Sequence, residues 1–179
     1  MKTSSILAAL LFAAPALADD AGSDAAASAE SPALKEATGV LTTYLTAVKA
    51  KKWADAKKLI HPKTLNVIAE RKKRLGKEDH AMAPWAAEKT EYWMKDFKVG
   101  KATAGPMGTV KVEDSEDNFQ VEEKGVAEGD TAVYLLGKSG GKWFVVDKIR
   151  GGGFSDDSIK IGYKGYFDKV PKAEEPKPE

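Results

Sequence analysis

Apolar side chains recur along this chain with two different periods, and the change falls near Phe97. Before it, Leu34, Ala37, Leu41, Tyr44, Leu45 and Val48 repeat at three- and four-residue spacing, the stripe of an amphipathic helix. Ser31-Pro32 opens that helix as a capping residue followed by proline in the first turn. Lys49, Lys51 and Lys52 close it with charge that suits the negative end of the helix dipole. Trp53, Ala56, Leu59 and Ile60 predict a short second helix that stops at His61-Pro62, because a residue before proline disfavours the α conformation. Pro62 opens a third helix, with Leu65, Ile68, Ala69 and Leu75 inward and Gly76 at its end. Pro84 opens a fourth, carrying Trp85, Tyr92 and Trp93.

Beyond Phe97 the period approaches two. Strands are predicted over Phe97–Ala104, Thr109–Glu113 and Phe119–Glu123, the last reaching at most Val126. Gly105-Pro106, Asp117-Asn118 and Glu128-Gly129-Asp130 read as the turns that separate them. The strongest pair is Thr131–Leu136 and Lys142–Ile149, rich in β-branched and aromatic residues. Gly137, Gly140 and Gly141 are expected to supply the positive φ angles of the turn between them. Apolar residues fall on both faces of this hairpin, so both are expected to be covered at least in part, one of them by the helices. Gly151–Gly153 ends the sheet, and Ser155 or Asp156 caps a last helix with Ile159, Tyr163, Tyr166 or Phe167, and Val170 on one side.

The two ends stand outside this pattern. Lys2, the apolar run Ile6–Ala14 and Ala16-Leu17-Ala18 have the three parts of a secretory signal, with cleavage expected after Ala18. The run is too short for a membrane span of about 20 residues. Asp19–Ser31 has no large apolar residue with which to offset its ordering entropy. The expected division is a signal peptide at 1–18, a flexible leader at 19–33, one domain at 34–154, and a C-terminal extension with a disordered tail at 155–179. Cysteine is absent from the 179 residues, so neither a disulfide nor a lipidated thiol is available. An exported soluble protein, periplasmic or secreted, without a membrane anchor, is expected.

A formal net charge of +1 conceals a division along the chain. Twelve bases face three acids between Leu34 and Lys77, whereas one base faces eight acids between Glu113 and Asp130. The basic half can steer an anionic partner, or the two halves are solvated faces that balance one another.

Most catalytic and cofactor patterns fail on spacing. Gly137-Lys138-Ser139 ends like a phosphate-binding loop, but Ala132 stands where the first glycine belongs and a strand follows. His61 and His80 are the only histidines, and neither has the partners of a zinc site, so no metal or other cofactor is expected. No G-x-S-x-G marks a serine nucleophile. Arg71-Lys72-Lys73-Arg74 is a basic run without interleaved aromatics, a poor nucleic-acid signal. His61, between Ile60 and Pro62, is a structural histidine or a general base. The four tryptophans, at about 150–250 Å² each, are core residues or the walls of a pocket for an apolar or sugar-like ligand.

Tyr44 in the first helix, the stretch K-A-K-K-W-A-D-A-K-K-L-I-H-P and the late strand G-G-K-W-F-V-V-D-K-I together resemble the nuclear transport factor two-like superfamily. This is the cystatin-like α+β cone that includes SnoaL-like proteins. The matching positions are Tyr44, Ala47 and Trp53, then Gly141, Lys142, Trp143, Val145 and Asp147, and the likeness covers about Leu34–Ile149. It implies an α+β fold in which N-terminal helices pack against a strongly curved, mainly antiparallel, cone-shaped sheet, with a short C-terminal extension. An apolar pocket would lie between helices and sheet, and Tyr44, Trp53, His61, Trp93, Phe97 and Trp143 are placed around it.

Isomerases of this superfamily carry a tyrosine where Tyr44 stands, an aspartate base after the second helix and a protonated acid on a late strand. Here His61-Pro62-Lys63 follows the second helix, and Thr131–Leu136 holds no acid. The resemblance therefore implies a non-catalytic exported member that binds a small apolar ligand or an envelope protein, with no catalytic residue assigned. Two alternatives are an isomerase-like or SnoaL-like enzyme acting in the cone pocket, and a protein-interaction module using Arg71, Lys72, Lys73 and Arg74.

Overall fold

The computed structural model describes residues 31–78, 80–86, 92–121, 125–126 and 131–169. The expected signal peptide, nearly all of the expected leader, the turn expected at Glu128-Gly129-Asp130 and the expected tail from Val170 onward lie outside these residues.

Three helices come first: α1 (Pro32–Lys49), α2 (Trp53–Lys58) and α3 (Pro62–Leu75). Ser31 caps α1 by accepting the Leu34 N–H, and the periodic stripe is its buried face. α3 begins at Pro62 and ends at Gly76, which holds the left-handed conformation at φ 73°. Its inner face is rotated from the expected one. Thr64 and Ile68 are buried, Leu65 is half-buried, and Ala69 and Leu75 face water. The rotation follows from Thr64, whose hydroxyl donates to the Val146 carbonyl at 2.7 Å and holds α3 against a strand edge.

The expected fourth helix is replaced. A single 3-10 turn covers 84–86, and Tyr92 and Trp93 open a strand, β1 (Tyr92–Lys98). β2 (Lys101–Ala104) continues it after a corner at Val99-Gly100, where one unbroken strand was expected. β3 (Val110–Val121) runs straight through Asp117-Asn118, so that pair is not a turn. β4 (Gly125–Val126), β5 (Thr131–Ser139), β6 (Lys142–Arg150) and α4 (Asp156–Gly162) complete the order. The hairpin and the cap at Ser155 match the expectation, but the last helix ends at Gly162, so Tyr163 and Tyr166 lie in the turn behind it and not on the helix as expected.

All strands join one antiparallel sheet, β1-β3-β5-β6, with β2 and β4 also paired to β3. β1 pairs with the far half of β3 and β2 with its near half. Between them β3 bulges at Asp114, whose φ is +52°, and the bulge takes up the corner. The Gly100 N–H donates to Ser115 Oγ at 3.2 Å across this point. A second bulge lies where Leu135 and Leu136 meet Asp147 and Val145. Bulges increase twist and bend the ladder, and the result is an α+β architecture with helices on a strongly curled, half-barrel sheet.

Both faces are covered, each by a different part of the chain. α1 fills the concave face with Leu41, Tyr44, Leu45 and Val48 against Val112, Tyr134, Leu136 and Val145. The convex face is closed by α4 and the turn behind it, where Leu135, Val146, Phe154 and Ile159 are buried under Tyr163, Tyr166 and Phe167. Gly137 belongs to this second contact, not to the hairpin turn. It sits within β5, and a Cβ there would overlap the Phe167 ring. The turn is made by Gly140 and Gly141 at φ 59° and 75°. No helix among the described residues is long and apolar enough to cross a membrane.

Candidate functional site

Alternation along β3 points Val110, Val112, Ser115 and Asp117 to the concave side once the bulge is counted. On β5 the same parity brings Tyr134 inward, and on β6 it brings Lys148 and Arg150. The outcome is a buried polar cluster inside the curl. Asp117 accepts the Tyr134 hydroxyl at 2.5 Å and Lys148 Nζ at 2.9 Å on Oδ2, and Arg150 at 2.6 Å on Oδ1. Its carboxylate is fully buried, Lys148 is 10% exposed and Arg150 31%. Burial, then the Asp117 charge, pushes the Tyr134 and Tyr44 hydroxyls up, so both stay neutral. Burial also pulls Lys148 down against the raising effect of Asp117. Asp117 had been expected in a turn. The signal for its true place is the i, i+2 spacing of Lys148 and Arg150 on the hairpin strand, which asks for an acid across the same face.

The six residues expected around a pocket divide. Tyr44, Trp53, Phe97 and Trp143 belong to the concave core, where Tyr44 and Trp143 are buried and Trp53 and Phe97 half-buried. Trp143 donates its indole N–H to Glu36 at 3.1 Å, with Lys138 Nζ 5.1 Å from its ring centre. The Trp93 side chain lies outside the described residues. His61 is not with the others. It packs on the convex side, its ring 5.0 Å from Tyr166 and 5.7 Å from Phe144.

His61 links three elements. The bridge from Ile60 to Val145 lays the approach to α3 along the edge of β6. Nδ1 accepts the Lys63 N–H at 3.2 Å and so caps α3. Nε2 lies 2.9 Å from the Tyr166 carbonyl, which only accepts, so the neutral Nε2–H tautomer satisfies both contacts. Burial, opposed by the Tyr166 contact and assisted by Lys63, holds His61 below its usual value of 6.5; Asp168 faces it with the opposite sign. Stability carried by this neutral ring is complete above about pH 6.5 and is lost as pH falls through the folded-state value, because the unfolded chain takes up the proton first. His61→Asn keeps a capping acceptor and should flatten that slope. Thermal melts of both proteins across mildly acidic pH test this, and parallel slopes would refute it.

The turn after α4 is strapped down around this ring. Asp168 accepts the N–H groups of Gly140 and Gly141 at 2.9 Å each, which hold its carboxyl below the usual range. Its own N–H donates to the Lys138 carbonyl at 2.9 Å. Tyr163 donates to Asp147 Oδ2 at 2.5 Å.

Between α3, β6 and α4 this strapping leaves a cleft of about 330 Å³ on the convex side. Val67, Ile149, Phe154, Tyr163 and Tyr166 give it apolar and aromatic walls, with Arg71, His80 and Asp147 as charged or titratable groups. A smaller hollow of about 210 Å³ adjoins it, sharing Val67 and Arg71 and adding Glu70 and Arg74. The basic run is thereby divided, since four consecutive helical residues point around the helix. Arg71 and Arg74 share a side, whereas Lys72 turns to Glu78 at 3.0 Å. Arg71, Lys72, Lys73 and Arg74 are all exposed. No group of three or more metal-ligating side chains exists among the described residues.

Comparison of the chain with protein-family models, with curated proteins and with solved structures finds no match.

Proposed function

We propose that this protein is an exported, non-catalytic binding module of the nuclear transport factor two-like class. The class is supported by the Tyr44, Trp53 and Gly141–Asp147 motif positions, together with helices held in the concavity of a curled antiparallel sheet. Export is supported by the signal-like N-terminus. The observation that carries the non-catalytic reading is Asp117. It is the acid that neighbours Tyr44, yet three donors engage its two oxygens. A general base needs a lone pair within reach of substrate, and the Tyr134, Lys148 and Arg150 contacts turn these oxygens to partners inside the curl. His61 is likewise committed at both ring nitrogens.

The test is native mass spectrometry of the mature protein from its own envelope fraction, gentle and then denaturing. A small molecule or protein partner seen only in the gentle spectrum is the expected result. A bare chain that turns over an enolisable ketone would overturn the reading in favour of the enzyme.

A second reading, a docking module for an acidic protein, is favoured by four consecutive exposed bases at the end of α3. It requires retention that is lost as salt is raised, because exposed charge is screened within about 10 Å at 0.1 M. A partner retained equally in low and high salt excludes it.

A further inference from the structure

We propose that the cleft between α3, β6 and α4 is a binding site for a small aromatic carboxylate, with the ring against Tyr163 and Tyr166 and the acid group at Arg71. This deepens the binding-module reading and rests on it.

Size and shape come first. The hollow of about 330 Å³ falls within the range of small-molecule sites, roughly 300–1,000 Å³. Its walls come from three elements, and two of them are tied to their neighbours by hydrogen bonds. α3 is held by the Thr64 bond to Val146 and the His61 cap; the turn after α4 is held by Asp168 and by the His61 contact to Tyr166. A site so braced loses little entropy when it is filled.

Chemistry narrows the ligand. Tyr163 and Tyr166 meet edge to face at 5.4 Å, and Tyr163 meets Phe154 at 6.2 Å, so flat aromatic surface lines one end. Both hydroxyls stay neutral, since burial pushes them up. Asp147 would repel an anion, but its oxygens are taken by the Tyr163 hydroxyl and the Lys148 N–H, so it offers little to a cation either. That repulsion orients an anionic group towards the α3 side. There Arg71 lines both hollows and Arg74 the smaller one, with Glu70 as the opposing charge in the smaller and His80 also lining the larger. Arg71 has interactions of its own within the fold. Its planar fork carries five N–H donors, and it can serve a carboxylate as well.

The experiment is a titration of the isotope-labelled mature chain with 2-naphthoate, followed by amide chemical shifts, with 2-naphthamide as the uncharged counterpart. Saturable shifts confined to residues around Val67, Arg71, Tyr163 and Tyr166 are expected, with the amide binding about tenfold more weakly. Arg71→Gln should remove that preference, and Val67→Trp should abolish binding of both probes. Should Val67→Trp fail to fold, Ser158→Phe fills the cleft from the α4 side. Absence of saturable shifts, shifts mapping elsewhere, or an undiminished preference in Arg71→Gln overturns the proposal. A copurified ligand whose shifts map outside the cleft would overturn the site and leave the binding-module reading intact.

Discussion

Asp117→Ala is expected to destabilise the fold by about 3 kcal/mol, towards the lower end of what removing one partner from a buried ion pair costs. The reason is geometric. The carboxylate is fully buried, and its loss strands the Tyr134 hydroxyl, Lys148 and Arg150 together. Lys148 and Arg150 keep other interactions, and Arg150 reaches water, which is why the loss stays near the lower end. Three of the sheet's strands, β3, β5 and β6, meet at this one side chain, so the effect should be global. A shift of the urea midpoint with an unchanged slope is the expected signature. The double variant Asp117→Leu with Lys148→Met provides the decisive contrast. It removes more polar groups than the single change, yet it leaves fewer buried ones unpaired and should be the more stable of the two. If Asp117→Ala costs less than about 1 kcal/mol, the cluster behaves as a solvated surface pair and the argument fails.

Gly100→Ala is the second large effect, expected at about 3 kcal/mol from overpacking against backbone. A Cβ at this corner would overlap the Glu113 carbonyl oxygen and crowd the Asp114 backbone. A flexible side chain can move aside, but here the obstacle is the bulge that carries Asp114 at φ +52°. Relief requires the β1–β2 corner to lift from β3 or the bulge to shift. The latter would carry Ser115 and Asp117 out of register with β5. Hydrogen exchange should therefore report faster opening across Lys101–Ala104 and Val110–Glu113 together. Gly153→Ala is the matching control, because nothing lies near the added methyl, and it should stay within about 0.5 kcal/mol of the parent. Equal stability of the two variants would show that the corner has slack.

Much of the helical half was legible because its signals are local. Ser31-Pro32 and His61-Pro62 start helices, Gly76 ends one, and the α1 stripe names its own buried face. The β5–β6 hairpin was legible for the same reason: two dense β-forming runs and a Gly-Gly turn leave few alternatives. Asp117-Asn118 shows where this stops. Local preference reads the pair as a turn, and three donors from other strands make it strand interior. Tyr92 and Trp93 fit a helical pattern, but pairing with Val121 and Gln120 of β3 draws them into the sheet.

The candidate site was less legible than the fold. Tyr44, Trp53, Phe97 and Trp143, expected around one pocket, do share one cluster, on the concave side of the sheet. His61 has its decisive partner 105 residues away, and the cleft draws on α3, β6 and α4, which no local window contains.

By itself, then, the sequence determined the start of α1, both ends of α3, the central hairpin and the last cap, since each rests on periodicity or on the φ preferences of proline and glycine within a few residues. The tertiary structure alone decided which face of α3 turns inward, where β3 bulges, why Gly137 must lack a side chain, and which charges meet inside the curl. Those outcomes depend on contacts between distant segments, each worth more than the tenths of a kcal/mol per residue by which local propensities differ.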